Sequence, residues 1–183
     1  MEEEHPTVTQ QSIQPLEFYL RPGFLVAHDG DAVVKCILGS AVAVALYDRL
    51  ARIGGISHFV WPHAKDRRRS NVTYGDTAIP MLRKTLEDMG CHRTRLEAMV
   101  FGGACPRQQF SKSDASLGQE NITLTRAILK RMNIPLVSED VGGCRGRKIL
   151  YHTRSNDAVI LKVDTLRPWD WYERDSTIPW DRV

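Results

Sequence analysis

KCILGSAVAVALYDRLARIGGISHFVWP, residues 35–62, is the stretch on which the fold turns. From Ala41 to Tyr47 the residues are apolar without a charge, Asp48-Arg49-Leu50-Ala51-Arg52 is polar, and Gly54 to Trp61 is apolar again apart from Ser57 and His58. Two short apolar runs around a polar centre predict a β-hairpin. If it folds symmetrically about Arg49 and Leu50, position 41 stands opposite His58. Directly opposed residues on antiparallel strands have Cβ atoms about 4.5 to 5.5 Å apart, which would place a nucleophile at 41 within reach of an imidazole base. The residue at 41 is alanine.

Before the hairpin, residues 1–15 are polar, carry Glu2, Glu3 and Glu4, and show no apolar period, so a mobile lead-in is expected. Strands are predicted at Phe18-Tyr19-Leu20, at Phe24 to Ala27 and entering Val33-Val34, separated by turns at Pro22-Gly23 and Asp29-Gly30-Asp31. After it, His63 to Asn71 is dense in positive charge. That run reads either as solvated surface or as a rim that steers an acidic partner. A helix is predicted over Thr77–Met89, with Asp76 as its cap, Pro80 in its first turn and Gly90 at its end, because Ile79, Leu82, Leu86 and Met89 share one face. Leu96 to Phe101 is a buried strand leading into Gly102-Gly103. A second helix runs from about Asn121 to Met132, and Arg147–His152 with Ala158–Val163 form another hairpin. Strands outnumber helices and mostly pair antiparallel, giving an α+β class: mixed, mostly antiparallel sheets with two main helices packed on them.

The chain has 183 residues, 42% hydrophobic and 26% charged, enough for one sizeable core and ordinary for a globular protein. One domain over residues 16–164 is expected, followed by a tail, residues 165–183, that holds Trp169, Trp171 and Trp180. The tail reads either as a strap over the core or as a docking surface. No apolar run approaches the ~18 residues of a membrane span and the start is acidic, so a cytoplasmic protein is expected. Cysteines stand at 36, 91, 105 and 144 without Cys-x-x-Cys spacing, which favours reduced thiols over a disulfide framework or zinc ribbon. A net charge of +3 does not by itself imply nucleic acid.

Several segments in register resemble one family. Gly39-Ser40-x-Val42 with Tyr47-Asp48, Gly55, His58-Phe59 and Pro62; Tyr74-x-Asp76-x-Ala78; Arg95-Leu96-Glu97-Ala98 with Phe101-Gly102-Gly103-Ala104; Leu117-Gly118-x-x-Asn121; and Asp140-x-Gly142-Gly143-x-x-Gly146-Arg147-Lys148 are similar to the CheD chemoreceptor glutamine deamidases of bacterial chemotaxis. The resemblance covers roughly Phe18 to Val163 and not the tail. It implies hydrolysis of receptor glutamine side chains to glutamate, with methyl esters as a further substrate class, no cofactor, and chemoreceptors and a CheC-type phosphatase as partners. Receptor helices rich in glutamate and glutamine would suit the basic rim.

Hydrolysing an amide needs a nucleophile, a base that returns its proton to departing ammonia, and donors for the oxyanion. The resemblance implies a cysteine, a histidine and a threonine in the catalytic set. They fall on Ala41, His58 and Lys35, so only His58 is kept; Gly39 and Ser40 would help to bind substrate. A methyl group cannot attack a carbonyl, and loss of a nucleophile from an interdependent set costs ~10⁶-fold in subtilisin. The chain is therefore expected to be inactive and to act as a receptor- or regulator-binding protein.

Substitutes are poorly placed. Ser40 neighbours Ala41 and should face the other side of the sheet, whereas Cys36 would need the turn at Gly39 to re-aim it. Cys105 and Cys144 follow Gly-Gly turns and are either spectators or thiols that approach the pocket. Cys36, His58, His63, Cys91 and His92 lack metal-ligand spacing, so no metal is expected. The pairs Gly54-Gly55, Gly102-Gly103 and Gly142-Gly143 lack the P-loop pattern and read as turns. Two origins fit Ala41: natural divergence, to which Lys35 adds a second departure, or replacement of a cysteine in an active deamidase. A nucleic-acid-binding module built on Arg67–Arg69 is the reading of another class, and it requires affinity that falls steeply with salt.

Overall fold

The computed structural model describes residues 15–66, 68, 70–105 and 112–165, with the backbone alone at 112–116. The expectations for the lead-in, the tryptophan tail, and Arg67 and Arg69 lie outside the described residues, apart from position 15 and Thr165 at the edges.

The hairpin sits at the middle of the molecule. Its strands are β4 (Val42–Asp48) and β5 (Ile53–Phe59), and every residue of β4 is buried. Side chains alternate across a strand, so a strand apolar on both faces must be covered on both. Val42, Val44 and Leu46 face one core, and Ala43 and Ala45 face the other.

β4 and β5 belong to a five-stranded sheet in the order β2-β5-β4-β6-β7, where β2 is Phe24–His28, β6 Leu96–Gly102 and β7 Leu136–Val141. On one side of it lie helices α1 (Gly75–Asp88) and α2 (Lys112–Arg131), sealing a core that includes Phe59, Ile79, Leu82, Leu86, Val100 and Ile128. On the other lies a four-stranded sheet ordered β1-β3-β8-β9, with β1 Leu16–Tyr19, β3 Ala32–Leu38, β8 Gly146–His152 and β9 Ala158–Val163. The core between the sheets includes Val34, Cys36, Ile56, Phe101, Ile149 and Tyr151. The fold is α+β, as the pattern of elements predicts. Among the described residues no helix is long and apolar enough to cross a membrane.

Three local expectations are corrected. Asp76 does not cap α1: the cap position is Tyr74, and the first amides bond backbone instead, Gly75 N–H to Trp61 O at 2.8 Å and Asp76 N–H to Pro62 O at 3.2 Å. The helix thus begins two residues early, and Pro80 falls beyond the first turn, where its missing N–H leaves the Asp76 carbonyl without its intrahelical donor. α2 starts at Lys112, well before Asn121. β7, which the polar run Ser138-Glu139-Asp140 concealed, is an edge strand paired parallel to β6. Gly90 ends α1 as expected, at φ 97° with its N–H on Glu87 O and Cys91 N–H on Leu86 O.

Candidate functional site

The register of the hairpin differs from the symmetric expectation. Asp48 Oδ1 accepts from Leu50 N–H at 2.9 Å and Ala51 N–H at 3.1 Å, while Arg52, at φ 56°, donates its N–H to Asp48 O at 2.8 Å. That makes Arg49–Arg52 a four-residue loop closed by Asp48 opposite Ile53. The pairing therefore slides by two, and His58 lies opposite Ala43 rather than Ala41. An even shift keeps the face of every side chain. Position 41, immediately before β4, becomes a diagonal neighbour of His58, a relation that spans about 7–8 Å between Cα atoms on regular strands.

His58 is 1% exposed. Its Nδ1 lies 3.4 Å from the carbonyl of Leu20. A carbonyl only accepts, so Nδ1 carries the proton and Nε2 is left as a bare lone pair. Nε2 is buried without a hydrogen-bond partner among the described residues. Burial outweighs the help of that carbonyl and lowers the ring's pKa to about 4, so the imidazole is neutral at physiological pH. A neutral imidazole with a free Nε2 is the form a general base requires.

The segment Gly39-Ser40-Ala41 is held from two sides. Gly103 N–H donates to Ala41 O at 2.9 Å and Ala104 N–H to Gly39 O at 2.8 Å. From α2, the fully buried Asn121 donates through Nδ2 to Ser40 O at 3.1 Å and to Val60 O at 2.7 Å, joining this segment to the end of the His58 strand. Close approach explains two glycines. A Cβ on Gly102, at φ 105°, would lie 2.2 Å from Ala41 O, and one on Gly118 would lie 2.6 Å from Gly103 O. Segments far apart in sequence thus converge on one loop. Asn121 and the Leu20 carbonyl carried no role in the sequence reading; the signal for Asn121 was its place in Leu117-Gly118-x-x-Asn121.

The other candidates separate from this site. Lys35 lies on the face of β3 opposite Val34, Cys36 and Leu38, which line the inter-sheet core. Its ammonium pairs with Glu17 at 2.7 Å and sits 5.4 Å from the centre of the Tyr19 ring. Cys36 is fully buried in that core, and burial pushes its thiol up to about 12, so it holds no thiolate at neutral pH. Among the described residues no three His, Cys, Asp or Glu side chains gather as metal ligands. Gly142 N–H bonds Gly102 O at 2.9 Å, and buried Arg147 anchors that loop through Asp140 Oδ1 at 2.8 Å and Gly142 O at 2.7 Å.

Comparison with known proteins places the chain in a family. The family model described as CheD chemotactic sensory transduction matches residues 61–162, beginning after both Ala41 and His58. The chain is 38% identical over 147 residues to a probable chemoreceptor glutamine deamidase CheD 1 of Anaeromyxobacter dehalogenans, covering 80% of this chain and 85% of that one. Similar relatives, each a probable chemoreceptor glutamine deamidase CheD, come from Pyrococcus abyssi, at 38% identity with 73% and 84% covered, and Sulfurimonas denitrificans, at 35% with 72% and 85% covered. A solved Neisseria meningitidis protein of the DUF152 family aligns with a TM-score of 0.42 and 14% identity over 74% of this chain and 65% of that one, a likeness too low to carry an argument. The family match, over half the chain, and the curated relatives, over most of it, agree: this chain belongs to the CheD family of chemotactic sensory transduction.

Proposed function

We propose that this chain binds chemoreceptors through a deamidase site that keeps its base and its architecture but has no nucleophile. The observation that carries the reading is the clamp on Gly39-Ser40-Ala41. Gly103, Ala104 and Asn121 fix that loop beside a strand whose His58 presents an Nε2 without a partner among the described residues, yet the side chain at 41 is a methyl group. A buried polar atom left without a partner costs roughly 1–3 kcal/mol, and a proton delivered from a thiol at 41 would satisfy this one.

In a complete site of this design, a thiol at 41 would give its proton to His58 Nε2 and attack the glutamine carbonyl carbon. The imidazolium would return the proton to the leaving nitrogen as the tetrahedral adduct collapses, releasing ammonia. Water, deprotonated by the same histidine, would then cleave the thioester to glutamate. Without the thiol the first bond cannot form, and receptor binding is what remains. The surfaces for a CheC-type phosphatase are inferred to persist with it. The decisive experiment measures ammonia release from a receptor cytoplasmic fragment by the parent and by Ala41→Cys. The expected result is no release by the parent and turnover by Ala41→Cys, lost again in Ala41→Cys/His58→Ala. Turnover by the parent would refute the vacant site.

A further inference from the structure

Two cysteines lie side by side at the edge of this loop system, and neither takes part in the chemistry above. Cys105 N–H donates to Gly143 O at 2.8 Å, so the residue after Gly102-Gly103-Ala104 is tied to the residue before Cys144. With planar trans peptides, that single bond brings the Cα atoms of Cys105 and Cys144 to within about 7 Å, against the range of about 4.4–6.8 Å that disulfides span. Both thiols are free. Cys105 is partly exposed and Cys144 exposed, whereas Cys36 and Cys91 are buried. Gly143, the residue before Cys144, borders open space, since a Cβ added there would meet nothing within 4 Å.

We infer that Cys105 and Cys144 form a reversible disulfide site, oxidised by low-molecular-weight disulfides, that staples the 102–105 loop to the 142–144 loop. The staple acts on the candidate site through bonds already described. The 102–105 loop holds Ala41 O and Gly39 O on one flank and is held by the Gly142 and Cys105 amide bonds on the other. Cross-linking its outer flank fixes the wall against which the Gly39–Ala41 segment rests.

The chemistry is exchange in two steps. The Cys144 thiolate, the more exposed, attacks one sulfur of the small disulfide. That S–S bond breaks, one small thiolate departs, and a mixed disulfide forms. The Cys105 thiol loses its proton to water and attacks the Cys144 sulfur, expelling the second small thiolate. Two protein thiols are oxidised and one external disulfide is reduced.

The test treats the full-length protein, without denaturant, with excess oxidised glutathione, followed by peptide mapping and native-state amide exchange. The expected product carries no glutathione, is lighter by two hydrogen atoms, contains a Cys105–Cys144 linked peptide, and reverts with dithiothreitol. Cys105→Ser and Cys144→Ser should each stop at a single glutathione adduct on the remaining partner. Exchange at the Gly103 and Ala104 amides should slow by about tenfold or more in the oxidised form. Persistent glutathione adducts on the parent, links through Cys36 or Cys91, or unchanged exchange at those amides would overturn the inference. None of these readings depends on receptor binding or ammonia release, so they stand apart from the test of the vacant site.

Discussion

His58 holds a neutral imidazole that is 1% exposed, and the burial that lowers its pKa from 6.5 to about 4 ties stability to pH. In the unfolded chain the ring takes up a proton near its ordinary value, while in the folded chain it resists until the lower one. Its contribution is therefore whole above about pH 6.5 and is lost as pH falls toward about 4, by about 3 kcal/mol in all. Denaturant unfolding at stepwise pH should show that loss, and His58→Gln should flatten it in this window. The carboxylates with lowered pKa, Asp48 and Asp140, titrate below it. An unchanged profile in His58→Gln would contradict the assignment. At this scale the family resemblance pointed to His58 and Ala41, and their spacing put them on facing strands with a register two residues off. The sequence could not show which nitrogen of the ring is free, because that is set by a carbonyl at Leu20, 38 positions away.

The elements that build the site meet through backbone, and glycine makes that possible. A side chain at Gly102 meets both a positive φ and the Ala41 carbonyl, so Gly102→Ala should cost about 2 kcal/mol or more, whereas Gly143→Ala, at φ 70° in open space, should cost about 1 kcal/mol. Chemical denaturation of the two variants checks the order, and equal costs would mean the clamp is looser than described. Hairpin strands and the α1 face were legible from apolar period alone. The hairpin register was not, since it depends on Asp48 accepting two amides within the turn rather than on the symmetry of the apolar runs. The first turns of α2 were likewise hidden, because Lys112 to Glu120 is largely polar and shows no apolar stripe.

Across the whole molecule, β4 contributes alternate residues to both cores, so neither core can open without disturbing the other. Tyr151→Ala between the sheets and Leu82→Ala under the helices should each lower one shared transition, by roughly 3 kcal/mol. Coincident loss of near-UV and far-UV circular dichroism is the readout; separated transitions would show two independent units. The α+β class followed from the count and pairing of strands. The parallel pairs β1–β3 and β6–β7 did not, because the intervening connections carry no mark of where they return.

Whether position 41 and His58 form one site is tested most directly by the reactivity of a thiol placed there. In Ala41→Cys, alkylation at residue 41, read by peptide mapping, should show a thiolate midpoint below about pH 7. Adding His58→Ala should return it to the ordinary value of about 8.5 or higher. A midpoint that is the same with and without His58 would mean that the imidazole does not serve position 41.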